Sequence, residues 1–501
     1  MQPTKQTTRK RTSSAVRILL CTPLLSLTAC NFTPPIDDSP IPLPDTYTQL
    51  DPNVNYAEAP TPLPARWWQS FNDPNLSALI EEALTHNFTI KSAWARIDQA
   101  RAAAAQTGAA SYPSVDFTNR NSRTRNEVNS PSNPGMPAST TYSTSLSLGL
   151  AASYEVDLWG RIKTQQQAAI AELNATELDL QSAATTLAAN IANAWYQLID
   201  QQQQRRILNQ QIELNNKHLQ VLEARFAVGQ AGAPDILQQK QLIESNNASL
   251  FQVDSQITVL QNQLAILLGN PPTLENTTFK TPKNLPGLPA LPDTGVPANI
   301  LNNRPDVHAA FIRLQASNYR IATAIADKLP KLSLSLSATT ESTNLQDLFD
   351  NWLATIAANI SAPIFDAGRR EAEVDRQKAL TDVAYNTYSQ TILTALQDIE
   401  NALAQERNQT KYLASLKTQL DIASNVEEEV RNNYYKGNAD FLRVLSAQQS
   451  TQTLQRQVST AHQNLLAFRV ALCRALAGNI ELEQPQPTQT QTTQTTPADK
   501  S

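Results

Sequence analysis

The stretch RIKTQQQAAIAELNATELDLQSAATTLAANIANAWYQLIDQQQQRRILNQQIELNNKHLQVLEARFAV, residues 161–228, contains neither glycine nor proline. A second stretch, 369–436, is equally free of both, and each is 68 residues long. In the first, Leu173, Leu180, Ala184, Leu187, Ile191, Ala194 and Leu198 recur at helical spacing, a stripe that needs a neighbouring helix. At about 1.5 Å per residue such a helix extends about 102 Å, the length of two helices of about 35 residues stacked end to end.

Outward from these stretches the chain repeats itself. A shift of 208 places Gly160-Arg161 on Gly368-Arg369, Gly229 on Gly437, Leu264 on Leu472 and Leu268 on Leu476. Further upstream a shift of 217 aligns Ala93 with Ala310, Arg96 with Arg313 and Pro113 with Pro330. The nine-residue difference must fall in a loop between the matched regions. Each copy therefore reads in one order: a helix (about 75–110 and 298–328), two strands joined by a polar loop (about 120–141 and 341–351), the long helix, a turn at Gly229 or Gly437, and a returning helix (235–268 and 440–477). Glycine at 160 and 368 permits the bend from strand to helix.

The strand signals are alternations. Leu146, Leu148 and Leu150 alternate with Ser145, Ser147 and Gly149; Leu332, Leu334 and Leu336 alternate with Ser333 and Ser335. Trp352, Ala354, Ile356, Ala358 and Ile360 share one face of a run over 352–362. After residue 30 no run of 18 apolar residues occurs, so a membrane could be crossed only by strands. Four strands cannot close a bacterial barrel, whose minimum is about eight, so closure demands several chains, with twelve strands from a trimer. The same alternation fits a soluble, half-buried sheet covered by helices.

The ends have different compositions. Residues 1–29 carry Lys5, Arg9, Lys10, Arg11 and Arg17 with no acid, then an apolar stretch, and read as a secretory signal. Leu27-Thr28-Ala29-Cys30 has the form of a site at which the cysteine is acylated and becomes the new N-terminus. Residues 30–66 form a proline-rich linker, 271–296 an inter-repeat linker, and 479–501 a Gln/Thr/Pro-rich tail with the composition of disorder. The repeats occupy 67–270 and 297–478. The net charge is −5, and loss of the signal leaves 35 basic against 45 acidic residues, a balance that argues against a nucleic-acid partner. Cys473 is the only thiol left for redox chemistry, and its apolar helical context suits a buried side chain. The four histidines, His86, His218, His308 and His462, lack metal-ligand spacing, and neither a phosphate loop nor a nucleophile elbow is present. These readings predict no enzyme, metal or cofactor.

Four segments carry a family resemblance: Trp67-Trp68-x-x-Phe71-x-Asp73-Pro74-x-Leu76, Tyr154-Glu155-Val156-Asp157-Leu158-Trp159-Gly160-Arg161, Asn303-Arg304-Pro305-Asp306-Val307 and Pro363-Ile364-Phe365-Asp366-Ala367-Gly368-Arg369. They resemble the signature segments of TolC-family proteins, most closely the OprM-like lipoprotein branch. The resemblance spans about 66–478. It implies a mainly α fold with a small β part: a homotrimer with a twelve-stranded β-barrel in the outer membrane and a long α-helical periplasmic barrel. It also implies a periplasmic adaptor, an inner-membrane RND-type pump, outer-membrane lipid around the barrel, and passive export of drugs or small molecules. Asn31 after Cys30 fits outer-membrane sorting of a lipoprotein. A type I protein-secretion duct and a lipid-anchored coiled-coil scaffold are the alternatives.

Within that resemblance the closable end lies at the turns of Gly229 and Gly437, farthest from the strands, and the Gln/Asn-rich helices suit a hydrated bore. Tyr434 and Asp235 match residues that latch the tip, which implies a hydrogen bond between them. Asp440 and Arg443 complete the predicted gate, although Arg443 and Ser446 stand where relatives carry acids and Ala439 replaces an arginine. Asp440 equally fits a helix N-cap.

Overall fold

The computed structural model describes residues 40–49, 63–128, 139–478, 480 and 482. The signal, Cys30 and the tail after 482 lie outside the described residues. Helices α1 (Pro74–His86) and α2 (Phe88–Ala109) precede strands β1 (Ser114–Val128) and β2 (Ser139–Val156), then α3 (Arg161–Ala227) and α4 (Ala233–Leu267). The second copy runs α5 (Ile300–Asn303), α6 (Pro305–Ala326), β3 (Lys331–Ser342), β4 (Trp352–Ser361), α7 (Arg369–Tyr435) and α8 (Phe441–Leu476). Both long helices have 67 residues and are related by the shift of 208, while α2 and α6 are related by the shift of 217. No helix among the described residues is long and apolar enough to cross a membrane.

The helices form one layer. Helix α3 packs against α2 and α4 on one side and α6 and α8 on the other, and α7 packs against α6 and α8. Each stacked pair thus parallels a long helix about 100 Å long.

The first helix of each copy, expected as one piece, is broken at equivalent places. Asn87 leaves the helical conformation (ψ 132°), and its side chain accepts from the backbone N–H of Thr89 and Ile90 to cap α2. In the second copy Pro305, at the first position of α6, holds Arg304 extended (ψ 120°). The two break residues also tie the stack. Asn87 Nδ2 donates to the carbonyl of Leu267 at the end of α4 (2.8 Å), and Arg304 Nη1 donates to that of Ala475 at the end of α8 (3.4 Å). Donors and acceptors correspond under the two shifts, so the same joint is made once by an amide and once by a guanidinium.

Extended segments wrap the joints. Tyr47 is buried with Ile392, Ile399 and Leu472, and Glu400 accepts from the N–H groups of Thr48 and Gln49. Buried Arg469 pairs with Glu406 (2.5 Å) and donates to the carbonyls of Pro289 and Ala290, fastening the inter-repeat linker. Asp73 caps α1 and accepts from Trp195 Nε1 (2.8 Å) in the core around Trp67, Trp68 and Tyr196. Ile480, in the segment predicted to be tail, is buried and donates its N–H to Gln181.

The sheet has the order β1-β2-β3-β4 and is antiparallel throughout. The polar loop expected over 120–141 is mostly strand, because β1 continues to Val128 and β2 starts at Ser139. Backbone pairing continues where the apolar alternation fades, helped by the Thr-rich run before Leu146. The loop expected over 341–351 matches the gap between β3 and β4 at its far end and starts two residues early, since β3 runs to Ser342.

Candidate functional site

The register sorts the sheet into two chemistries. Val115, Ala152, Leu336 and Ile356 lie in one row across the four strands, and Phe117, Leu150, Ala338 and Ala354 in the next on the same face. The opposite face carries rows such as Asp116, Ala151, Ser337 and Thr355. The apolar face is open in both rows: Ile356 is 85% exposed and Phe117 67%. A contiguous apolar surface of this extent needs a non-aqueous neighbour. Strands β1 and β4 each leave one edge without a partner among the described residues.

The signature segments lock the sheet to the long helices. Arg161 makes a bidentate pair with Glu155 (2.9 Å), Asp157 accepts from the N–H of Lys163, and Trp159 Nε1 donates to the carbonyl of Pro330 (2.8 Å). In the second copy Arg370 pairs with Asp366 (2.9 Å). Gly160 and Gly368 stand at the bends with φ of 75° and 82°. Ala367 also has positive φ, 52°, where a glycine would relieve the strain.

At the far end both long helices stop in the same way. The N–H of Gln230 reaches the carbonyl of Arg225 and that of Gly229 the carbonyl of Phe226; Asn438 and Gly437 repeat the pattern onto Asn433 and Tyr434. This double closure needs a left-handed residue, which Gly229 (φ 71°) and Gly437 (φ 80°) provide. The turns pack through Leu222, Leu242, Tyr434, Phe441, Val444 and Leu445.

The expected Tyr434–Asp235 hydrogen bond is not formed within the chain. Asp235 accepts from the N–H of Gly232 (3.0 Å), capping α4, and the Tyr434 hydroxyl has no partner among the described residues. Instead the Arg225 guanidinium lies 4.7 Å over the Tyr434 ring. Burial raises the Tyr434 phenol above its ordinary pKa, opposed by Arg225 and reinforced by Asp235. The local cap takes the carboxylate first, since it closes over three residues, and the aromatic face takes the cation. Asp440 is the N-cap of α8, accepting from the N–H of Arg443 (2.9 Å), and the Arg443 side chain is exposed.

Arg225 was not among the residues singled out from sequence. The usable signal was its place in the last turn before Gly229, where the shift of 208 sets it on Asn433, next to Tyr434. Of the long-helix amides expected to line the bore, Gln204, Gln211 and Asn215 of α3 are instead internal. Asn215 accepts from Gln448 and Gln452, Gln452 accepts from Asn246 (3.1 Å), and Gln239 donates to the carbonyl of Asn215, joining α3, α4 and α8. All five side chains are buried.

A sheet suited to lipid on one face, a helical wall about 100 Å long and a tip of paired turns together define a membrane duct. The family model described as outer membrane efflux protein matches residues 79–270 and 296–478, one match in each repeat. The chain belongs to this family, the TolC-like outer-membrane channels. It is 30% identical over 469 residues to the pyoverdine export outer membrane protein OpmQ of Pseudomonas aeruginosa, spanning 93% of this chain and 97% of that protein. With the toluene efflux pump outer membrane protein TtgI of Pseudomonas putida it shares 28% over 422 residues, 83% and 87% of the two chains. The solved outer-membrane channel OprN matches with a TM-score of 0.80 at 27% identity, covering 90% of this chain and 99% of that one. The Campylobacter jejuni channel CmeC, at 23% identity and a TM-score of 0.82 over 91% and 96%, supports the fold. The protein is an outer-membrane efflux channel with a large helical periplasmic part, and the scaffold alternative is set aside.

Proposed function

We propose that three copies close a twelve-stranded barrel and form the passive, gated exit duct of a tripartite pump. In this reading a periplasmic adaptor and an inner-membrane RND-type pump feed the duct with drugs or other small molecules. Cys30 is acylated and holds the chain to the outer membrane. The observation that carries the reading is the sheet: an open apolar face in register across four strands, bounded by two unpaired edges. In lipid each unpaired backbone group costs several kcal/mol, roughly, so insertion and closure by neighbouring copies go together. The pyoverdine and toluene relatives favour small molecules over a type I protein substrate.

Purified protein is expected to run as heat-resistant trimers that conduct in planar bilayers. A deletion strain is expected to become sensitive to drugs or solvents; retention of one unexported protein with unchanged drug tolerance selects the secretion alternative. Fatty-acid labelling is expected to vanish in Cys30→Ser. The gate lies at the turns of Gly229 and Gly437, with Arg225 stacked on Tyr434 as its intrachain brace. Arg225→Ala, which removes a contact of about 0.5–2 kcal/mol, is expected to raise resting conductance, whereas Tyr434→Phe keeps the aromatic face and leaves it unchanged. Equal behaviour of the two variants would refute the brace.

A further inference from the structure

The joint between α8 and α6 borders an open cavity of about 210 Å³, flanked by α3 and α7. Part of its lining is already paired: Arg304 donates to Asp306 (2.7 Å) and to Asp398 (3.3 Å). Arg474, at the end of α8, lines the same cavity and makes no hydrogen bond or ion pair with any described residue. Thr185 lines it too; its side chain is 5% exposed and its hydroxyl has no partner. That is unusual here, since Thr387, Thr391 and Thr394 on the adjoining helix each donate to the carbonyl four residues back. Ser182 and Thr186 add two further hydroxyls.

The side on which this cavity opens follows from α7. Ile392, Ala395, Ile399 and Leu403 bury one stripe of α7 in a cluster with Tyr47 and the partly buried Leu291 of the wrapping segments. Thr394 and Asp398, which line the cavity, lie on a separate stripe of the same helix. In the trimeric duct the segment carrying Tyr47 runs outside, because it continues toward Cys30 at the membrane, and Leu291 packs into the same cluster. The cavity therefore faces the bore.

We propose that this cavity is a niche in the bore wall that binds the monoanionic carboxylate of a passing solute, held by the Arg474 guanidinium and the hydroxyls of Ser182, Thr185 and Thr186; the proposal rests on the trimeric-duct reading. Arg474 supplies the one cation of the lining that no carboxylate contacts directly, and the unpartnered Thr185 hydroxyl supplies a donor with nothing else to bond. Arg304 and Arg474 balance Asp306 and Asp398, so the lining is neutral as a whole and the repulsion from the two carboxylates is twice as large for a dianion as for a monoanion.

The test is anomalous diffraction from crystals of the full-length trimer soaked in 4-bromobenzoate, after the same preparation is assayed for conductance in planar bilayers. The expected result is a bromine peak in the niche of the wild type, absent from Arg474→Gln and weakened in Thr185→Val, with no sulfate bound there in a parallel soak. An empty wild-type niche, or a peak that survives Arg474→Gln, overturns the proposal. Sulfate at equal occupancy overturns the monoanion assignment. Trimers that conduct but leave the niche empty fail this proposal alone, whereas a preparation that does not conduct fails the duct reading and this one with it.

Discussion

At the scale of single residues, the bends and turns show how far a side chain's identity predicts its work. Gly160, Gly229, Gly368 and Gly437 all adopt the positive φ that their positions in the repeat required. Ala367 adopts it as well, against its own preference. Ala367→Gly is expected to stabilise the protein by about 1 kcal/mol, the left-handed penalty less the extra chain entropy of glycine, read as a higher unfolding midpoint in detergent. An unchanged or lower midpoint would mean that the surrounding bend pays no strain at this residue. Tyr434 was legible as a tip residue but its partner was not. Choosing between Asp235 and Arg225 depended on Gly232, whose free N–H claims the carboxylate.

At the scale of elements, the amide-rich helices carry a polar seam inside the layer. Such a network fixes one register between helices whose apolar stripes alone would tolerate sliding by a turn. Asp200 belongs to it: fully enclosed, it accepts from Ser459 (2.6 Å) and more weakly from Gln204 (3.4 Å). Burial raises its carboxyl above the usual carboxylate range, with both hydrogen bonds acting the other way. The folded state therefore holds this proton more tightly than the unfolded chain does. Its contribution to stability is greatest below the unfolded pKa and falls as pH rises through the raised folded value. Asp200→Asn is expected to raise stability at neutral pH, with the gain shrinking as pH falls toward the carboxylate range. Denaturant titrations at several pH values would expose the opposite slope if the ionised acid were favourable. The broken first helices belong to this scale too. Pro305 was visible, and its effect on Arg304 follows from sterics, yet Asn87 reads as an ordinary helix residue until Leu267 presents a carbonyl to it.

At the scale of the molecule, the sheet decides what the protein must join. Ile356 sits mid-strand on the apolar face, at the β4 end of its row, and Thr355, its neighbour, on the polar one. Ile356→Lys is expected to cost about 2–4 kcal/mol in lipid and to deplete heat-resistant trimers, while Thr355→Lys leaves them intact. Trimer yield on denaturing gels is the measurement, and equal loss from both variants would contradict the assignment of faces. The closure of the helical layer follows the same logic, since α2, α4 and α7 end the layer within one chain.

The sequence by itself determined the duplication, the length of the helical wall, the positions of bends and turns, and the two-faced strands. Each is written in a period, a shift or a glycine, all local properties of the chain. Tertiary structure alone decided how far β1 and β2 extend, where the stacked helices are jointed, which amides are interior, and that Arg225 rather than Asp235 meets Tyr434. Those choices are contests between partners distant in sequence for the same donor, acceptor or ring face, and only the assembled coordinates bring the contestants together.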